Sequence, residues 1–458
     1  MKNLNGKSIR DIEQEIKDKA IEFIRFEQSD MNGISRSKTV PVGSFMEYIE
    51  NGLNFYGGLL GLDTQSMVPT GTGYAEEIAF ADQCVRPDLS TFTALPWIPN
   101  TAKITVDPYW YDGSPAMASP RLQLKRLIEE FDKLGYTCRL GYEFEFYVLD
   151  AETKKPVYSG QPIFVTLKNN WDMDFTYDLM RKMDQAGIRI ITQNSEHGPG
   201  QQEINLFYMD GIESADVAFT FRHGVKEIAL QHGYIATNMT KPFIDSSGSG
   251  SHFHISLIDK KTGKNAFFNP DTEDQLSELC KNFIGGLLNH AKANTIFMAP
   301  TINCYKRYRI NSFAPDSATW GFENRTVGIR IKGVRGEGTH IENRLACAAS
   351  NPYLVAASCL AAGLIGIKNG NKAPEPIQDI AYERKDVERL PLSLEESIEA
   401  FTKDKELRDV FGEEFCKLII ALKNFEVETA KTIFKDYGSQ AFNDRVDTWE
   451  HEYYMELL

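Results

Sequence analysis

Gly141-Tyr-Glu-Phe-Glu-Phe-Tyr-Val-Leu-Asp150 alternates carboxylate and aromatic from Tyr142 to Phe146, the period-2 pattern of a strand with two unlike faces. Glu143 and Glu145 then point the same way, with Cβ atoms roughly 6.5–7 Å apart at a rise of about 3.3 Å per residue. Like charges that close raise each other's pKa unless a cation sits between them. Taken alone, the stretch reads as readily as a solvated strand face with an aromatic back. The rest of the chain tips the balance, because four more candidate ligands follow in order.

A chain of 458 residues exceeds the size at which one core stops growing, so two domains are expected, one of them large. Hydrophobic residues at 42% and aromatics at 11% suffice for a sizeable core. A net charge of -14 argues against nucleic acid or an anionic membrane as partner, since both select basic patches. Seven cysteines with no Cys-x-x-Cys pair fit reduced thiols in a cytoplasmic protein better than disulfides or zinc. Met1-Lys-Asn-Leu-Asn-Gly6 is polar and lacks a signal-peptide core. The longest apolar run, Pro352 to Ile367, falls short of the ~20 residues of a spanning helix and reads as a buried one.

Ile9, Ile12, Ile16 and Ala20 recur at helical spacing behind Ser8 as N-cap. An alternating stretch Ile21 to Phe26 and short apolar runs broken by Gly, Pro and Asp follow. They predict a small mixed domain with a sheet over residues 1–110. Ser119-Pro-Arg121 opens a helix with Leu124, Leu127, Ile128, Phe131 and Leu134 on one face, ended by Gly135. A second helix over 173–186 leads to a strand at Ile188 to Thr192. Ser393 and Glu396 form a capping box before a charged helical C-terminus. Residues 111–458 are expected to be an α+β catalytic domain.

Four further stretches carry chemistry. In Ser195-Glu-His-Gly-Pro-Gly-Gln-Gln-Glu203 the acids Glu196 and Glu203 flank a turn that brings two strand-borne carboxylates together. A surface hairpin with two incidental acids fits equally well, and His197 reads as an ordinary hydrogen-bonded histidine. Gly248-Ser-Gly-Ser-His-Phe-His-Ile-Ser256 sets His252 and His254 on one strand face behind a glycine-rich approach. Five glutamates and one histidine make an oxygen-dominated site, which points to Mg²⁺ or Mn²⁺ rather than zinc or copper. Asn303 to Pro315, Trp320 to Arg330 and His340-Ile-Glu-Asn-Arg344 supply Arg307, Arg325, Arg330 and Arg344 within forty residues of Glu342. Arginine among apolar residues, as in Val327-Gly-Ile-Arg-Ile331, is costly unless it meets an anion. Arginines facing metal-binding glutamates are what phosphoryl transfer requires.

These pieces, in this order and over nearly the whole chain, closely resemble the glutamine synthetase family. The resemblance implies a small N-terminal β-grasp-like domain and a large catalytic domain with a curved antiparallel sheet and flanking helices. It implies one metal on Glu145, Glu196 and Glu203, and another on Glu143, His252 and Glu342. It further implies that Gly248, Arg307 and Arg344 grip L-glutamate, while Arg325 and Arg330 face the ATP phosphates. Tyr208, His254 and Ser256 would lie near the nucleotide. Members assemble as stacked rings, commonly dodecamers of two hexameric rings, with sites shared between neighbours.

The chain departs from glutamine synthetases proper on the acceptor side. Their loop after the arginine matching Arg307 carries a glutamate that helps bind ammonium; here Asn311-Ser-Phe-Ala-Pro315 puts Phe313 in its place. Their ammonium-deprotonating aspartate corresponds to Tyr56 in Phe55-Tyr-Gly-Gly58. Ser247 replaces a usual asparagine, and Glu337 and His340 stand where basic phosphate contacts are common. An ammonium site needs negative charge to hold and deprotonate the cation, so the expected acceptor is a bulkier, less charged organic amine, aliphatic or aromatic. The expected activity is an ATP-dependent γ-glutamyl–amine ligase, like the branches that act on anilines, alkylamines or polyamines. Glutamine synthesis from ammonium and a catalytically inactive structural relative are the rival readings.

Overall fold

A computed structural model describes residues 7–308 and 312–458; Met1–Gly6 and Asn311 of the acceptor loop lie outside these. The first helix starts where its cap dictates. Ser8 Oγ accepts from the Asp11 backbone N–H and Asp11 accepts from Ser8 N, which fixes α1 (Ile9–Asp18). Ala20, expected on that helix, lies beyond its end with φ of 49°. Six strands follow: β1 (Phe23–Ser29), β2 (Ser35–Pro41), β3 (Leu53–Tyr56), β4 (Asp82–Pro87), β5 (Thr93–Ala94) and β6 (Thr101–Tyr109). They form a mixed sheet in the order β2-β1-β6-β4-β3, with β5 on β6 and a parallel β1–β6 pair. Ile24, Phe26, Ile104 and Val106 bury one face of this sheet against Ile12 in an apolar cluster of its own.

Among the described residues nine strands make the second sheet: β7 (Tyr136–Asp150), β8 (Ile190–Ser195), β9 (Gln201–Leu206), β10 (Met209–Asp210), β11 (Tyr234–Thr237), β12 (Ser251–Asp259), β13 (Trp320–Phe322), β14 (Ile329–Ile331) and β15 (Ile341–Asn343). Their order is β13-β14-β15-β12-β7-β9-β8, with β10 and β11 also on β7. Only the β13–β14 pairing is parallel among the described residues of this sheet. The strand expected at Ile188 begins two residues later, at Ile190, and runs on to Ser195, with a register shift between Ile190 and Thr192.

Helices α2 (Pro120–Lys133), α3 (Met173–Gln185), α4 (Ile212–Gln231), α5 (Glu278–Asn289), α6 (Pro352–Asn369) and α7 (Leu394–Lys403) flank it, which gives the expected α+β class. Leu134, expected on the buried face of α2, is its C-cap residue and is exposed, because the chain turns away at Gly135 (φ of 90°). At α7 the capping box is half made: Ser393 Oγ accepts from Glu396 N, but the Glu396 carboxylate takes Leu392 N instead of Ser393 N. The apolar helix α6 lies inside the fold, buried along all but its last residues. A Cβ on Gly286 would sit 2.1 Å from the Ala362 carbonyl, so glycine there lets α5 and α6 touch backbone to backbone.

One buried cation ties the first sheet to helices that flank the second. Arg121 on α2, 2% exposed, donates to both oxygens of Asp107 on β6 at 2.8 and 2.9 Å and of Asp216 on α4 at 2.7 Å each. The Tyr353 hydroxyl at the start of α6 donates to Asp216 at 2.6 Å. A guanidinium answered on several edges can sit in the interior without the cost of an unpaired charge.

Candidate active site

The acidic face of β7 is met on both sides by strands whose register matches it. Glu143 pairs with His252 on β12 and Asn205 on β9, while Glu145 pairs with Glu203 on β9. One row further, His254 pairs with Glu342 on β15, which pairs with Arg330 on β14. Alternation puts all these side chains on one face. His252 Nδ1 lies 2.8 Å from Glu143 Oε1 and 3.7 Å from Glu342 Oε1, and His254 Nε2 lies 3.5 Å from Glu143 Oε2. Glu145 accepts from Gly250 N at 2.8 Å and from Gln201 Nε2 at 3.3 Å. Arg344 and Arg330 donate to opposite oxygens of Glu342 at 2.7 and 3.2 Å, and Arg330 also binds Glu323.

The electrostatics divide this face in two. Burial would raise Glu143, but His252 and then His254 outweigh it and hold the carboxyl well below its usual range. Burial is likewise overcome at Glu342, by Arg344 and then His252, which bring it to about 2. Glu196 and Glu203 go the other way. Burial, then the charge of Glu145, pushes Glu196 to about 7; burial, then Glu143, Glu145 and Glu196, pushes Glu203 to about 10. Such crowding of acids is relieved by a divalent cation. Glu143, His254 and Glu342 each offer a ligand atom within 4.8 Å of the others, so the donor set fits a hard cation. His252 approaches the same two acids, and both histidines of the His-x-His strand face the carboxylates.

Residues of this row line two cavities. The first, about 520 Å³, is lined by Glu143, Tyr208, His254, Ser256, Lys332, Glu337 and His340. Burial and the neighbouring His254 lower His340 to about 4, so it is neutral at pH 7. The second, about 490 Å³, is lined by Glu145, Glu196, Glu203, Ser247, Gly248, His252, Arg307, Phe313, Arg325 and Arg344. Of the six expected metal ligands Glu143 lines the first cavity and Glu145, Glu196, Glu203 and His252 the second, while Glu342 lines neither and lies 3.7 Å from His252 Nδ1. Tyr208, His254 and Ser256 share one cavity, and Ser247, Gly248, Arg307, Phe313 and Arg344 share the other. Arg325, expected at the phosphates, lines the second cavity and is exposed. Tyr56 ends β3 on the first sheet; its hydroxyl is buried with no hydrogen-bond partner among the described residues, and it lines neither cavity.

Sequence reading missed four contributors to the second cavity. Gln201 braces Glu145 and also donates to Ser249 Oγ at 3.0 Å; its only signal was its place beside the Gly-Pro-Gly turn. Ile163 and Phe164 stand at the mouth, both exposed. Tyr382 comes from a turn far along the chain.

Comparison with known proteins agrees with this geometry. Residues 117–441 match the family described as "Glutamine synthetase, catalytic domain". The whole chain aligns with the whole of the glutamate–isopropylamine ligase of a Pseudomonas species at 34% identity. Glutamine synthetase of Thermotoga maritima is 33% identical over 98% of this chain and all of its own length. A solved GmaS–ADP complex superposes with a TM-score of 0.83 at 28% identity, covering 96% of this chain and 98% of that one. An acidic strand face, an arginine-clamped glutamate and these likenesses lead to one assignment: the chain belongs to the glutamine synthetase family and is an ATP-dependent carbon–nitrogen ligase acting on glutamate.

Proposed function

We propose that the acceptor is an organic amine of low charge, alkyl or aromatic, so that the product is a γ-glutamylamide rather than glutamine. The observation that carries this reading is Phe313. Its ring stacks on His197 with centroids 5.0 Å apart, and the residue, 59% exposed, lines the cavity that Arg307, Ile163 and Phe164 also line. An apolar wall there gives an alkyl or aryl group surface to bury, at about 0.8 kcal/mol per CH₂. The name of the Pseudomonas relative, which specifies isopropylamine, supports the same class. A polyamine would want acids for its distal ammonium, which Phe313 does not supply.

In this reading ATP lies on the Tyr208, His254 and Ser256 side, and Gly248, Ser247, Arg307 and Arg344 hold L-glutamate opposite. A carboxylate resists an amine because oxide would have to leave. Transfer of the γ-phosphoryl group to the glutamate γ-carboxylate, with ADP departing, makes an acyl phosphate. The amine nitrogen then attacks the carbonyl carbon, phosphate leaves, and the nitrogen gives up a proton. Glu145, Glu196 and Glu203, and Glu143, His252 and Glu342, would hold Mg²⁺ or Mn²⁺, which would offset repulsion between the two anionic substrates. Arg325 and Arg330 answer charge that develops on the phosphoryl oxygens, and the arrangement aligns the attack. We place the enzyme in the cytoplasm as a homo-oligomer of two stacked hexameric rings, in which Tyr56 of one copy reaches the acceptor cavity of the next.

Phosphate release across ammonium, methylamine, isopropylamine and aniline tests the reading. The expected kcat/KM is at least about ten-fold higher for the best organic amine than for ammonium; ammonium as the best substrate overturns it. Glutamine synthesis is the second reading, favoured by Glu196 and Glu203 in the same cavity.

A further inference from the structure

Lys306 and Glu450 form an ion pair with almost no access to water: they are 2% and 0% exposed, and Nζ lies 2.6 Å from Oε2. A buried pair adds little net stability, because both ions give up hydration to form it. Its place in the fold therefore needs another account. Glu450 lies on the helix Thr448–Tyr454, and Lys306 caps the short helix Ile302–Tyr305 and directly precedes Arg307. The other oxygen of the same carboxylate, Oε1, accepts from Asn303 Nδ2 at 2.9 Å. One carboxylate thus holds two residues of the segment that carries Arg307.

Asn303 passes the hold across to a second segment. Its Oδ1 accepts from the Lys241 backbone N–H at 2.7 Å, and its Nδ2 donates to the Lys241 carbonyl at 3.0 Å. That double contact fixes the backbone where the loop leading to Gly248 begins. His451, next to Glu450, meets the Pro242 carbonyl through Nε2 at 2.8 Å, and Lys241 Nζ donates to the Ser246 carbonyl further along the loop. At the loop's far end a Cβ on Gly248 would stand 2.7 Å from the Arg307 side chain, so loop and arginine meet with no slack. Gly248 and Arg307 line the second cavity; Asn303, Lys306, Glu450 and His451 do not.

We infer that Glu450 is a positioning residue for glutamate binding, setting from outside the cavity the spacing between Gly248 and Arg307. The inference rests on the proposed role of those two residues in gripping L-glutamate. The two oxygens of Glu450 answer different neighbours, so the loop and the arginine segment are both registered against one buried group. Binding a small, multiply charged molecule depends on such spacing, and a displacement of about 1 Å is costly. Glu426 accepts separately from Ile302 N at 2.9 Å, so losing Glu450 leaves the short helix anchored at its start and loosens its Arg307 end.

Glu450→Gln keeps the shape and an acceptor for Asn303 but removes the charge that answers Lys306; Lys306→Met breaks the pair from the other side, and either variant suffices. In the phosphate-release assay each is expected to raise KM for glutamate on the order of ten-fold, with KM for ATP changed less than about two-fold. A second readout needs no turnover. Hydrogen exchange followed by mass spectrometry should show the backbone of residues 241–248 and 302–307 exchanging at least about ten-fold faster than in the wild type. Equal rises in KM for glutamate and ATP, unchanged exchange in those segments, or an unaltered glutamate KM where Arg307→Lys raises it, overturns the inference. Should Arg307→Lys itself leave KM for glutamate unaltered while exchange still quickens in Glu450→Gln, the glutamate reading of Arg307 is what has failed; the hold of Glu450 on the two segments stands.

Discussion

Loading the carboxylate face with Mg²⁺ should expel protons, and the number follows from the site. Glu203, pushed to about 10, carries a proton at pH 7, and Glu196, pushed to about 7, is half protonated. A cation binds only the carboxylate forms, so saturation at pH 7 should release between one and two protons. The sign fixes the pH dependence. Raising the pH strips those protons before the metal arrives, so release falls towards one near pH 8 while affinity rises. Each proton released tightens the apparent Kd by about ten-fold per pH unit. Titration calorimetry of chelator-stripped protein with Mg²⁺, run at one pH in two buffers of different ionisation enthalpy, counts the protons. Glu203→Gln should bring the count below one. Release under about 0.3 protons in the wild type, or a count unaffected by Glu203→Gln, would refute the claim that these acids are crowded together awaiting a cation.

Phe313→Glu places an acid on the acceptor wall; it should weaken kcat/KM for the best organic amine by at least about ten-fold and improve ammonium use, and an unchanged amine ranking in the phosphate-release assay contradicts the wall's role. Arg121→Met strands Asp88, Asp107 and Asp216 around an apolar side chain. Because Lys125 still pairs with two of them, a loss near 3 kcal/mol is expected from the range of about 3–5 for a broken buried pair; urea unfolding giving a loss under about 1 kcal/mol would remove Arg121 as the tie between the first sheet and the helices that flank the second.

What the sequence made legible and what it hid divides along one physical line. Alternation on a strand is local: two residues apart means the same face, so Glu143 with Glu145, and His252 with His254, are readable as pairs from residue order alone. Register between strands is not local. Nothing within β7 or β9 specifies that Glu145 lies opposite Glu203, nor within β12 and β15 that His254 lies opposite Glu342. Those convergences came from the resemblance of the whole motif order to a known family. Residues whose type usually means something bland were missed. Glutamine in a hairpin reads as solvated, yet Gln201 braces a ligand. Seven thiols without a motif read as inert, yet Cys347 touches the buried guanidinium of Arg307 in the second cavity. Helix ends were misread for a different reason, since a few tenths of a kcal/mol decide whether Ala20 or Leu134 stays in the helix.

The same alternation explains why the acidic face survives at all. Tyr142, Phe144 and Phe146 occupy the positions between the acids and are buried beneath the sheet. Tyr142 and Phe144 stack with centroids 5.8 Å apart, Phe144 stacks on Phe221 of α4 at 5.4 Å, and the Tyr142 hydroxyl donates to the Pro352 carbonyl at the head of α6. Burying aromatic rings of this size contributes several kcal/mol, enough to hold β7 in a register that forces Glu143, Glu145 and Glu203 together against their repulsion. The aromatic back that made the stretch look like ordinary core is therefore the counterweight to its carboxylate front: one face stores the electrostatic strain that a cation relieves, and the other keeps the strand from relieving it by moving.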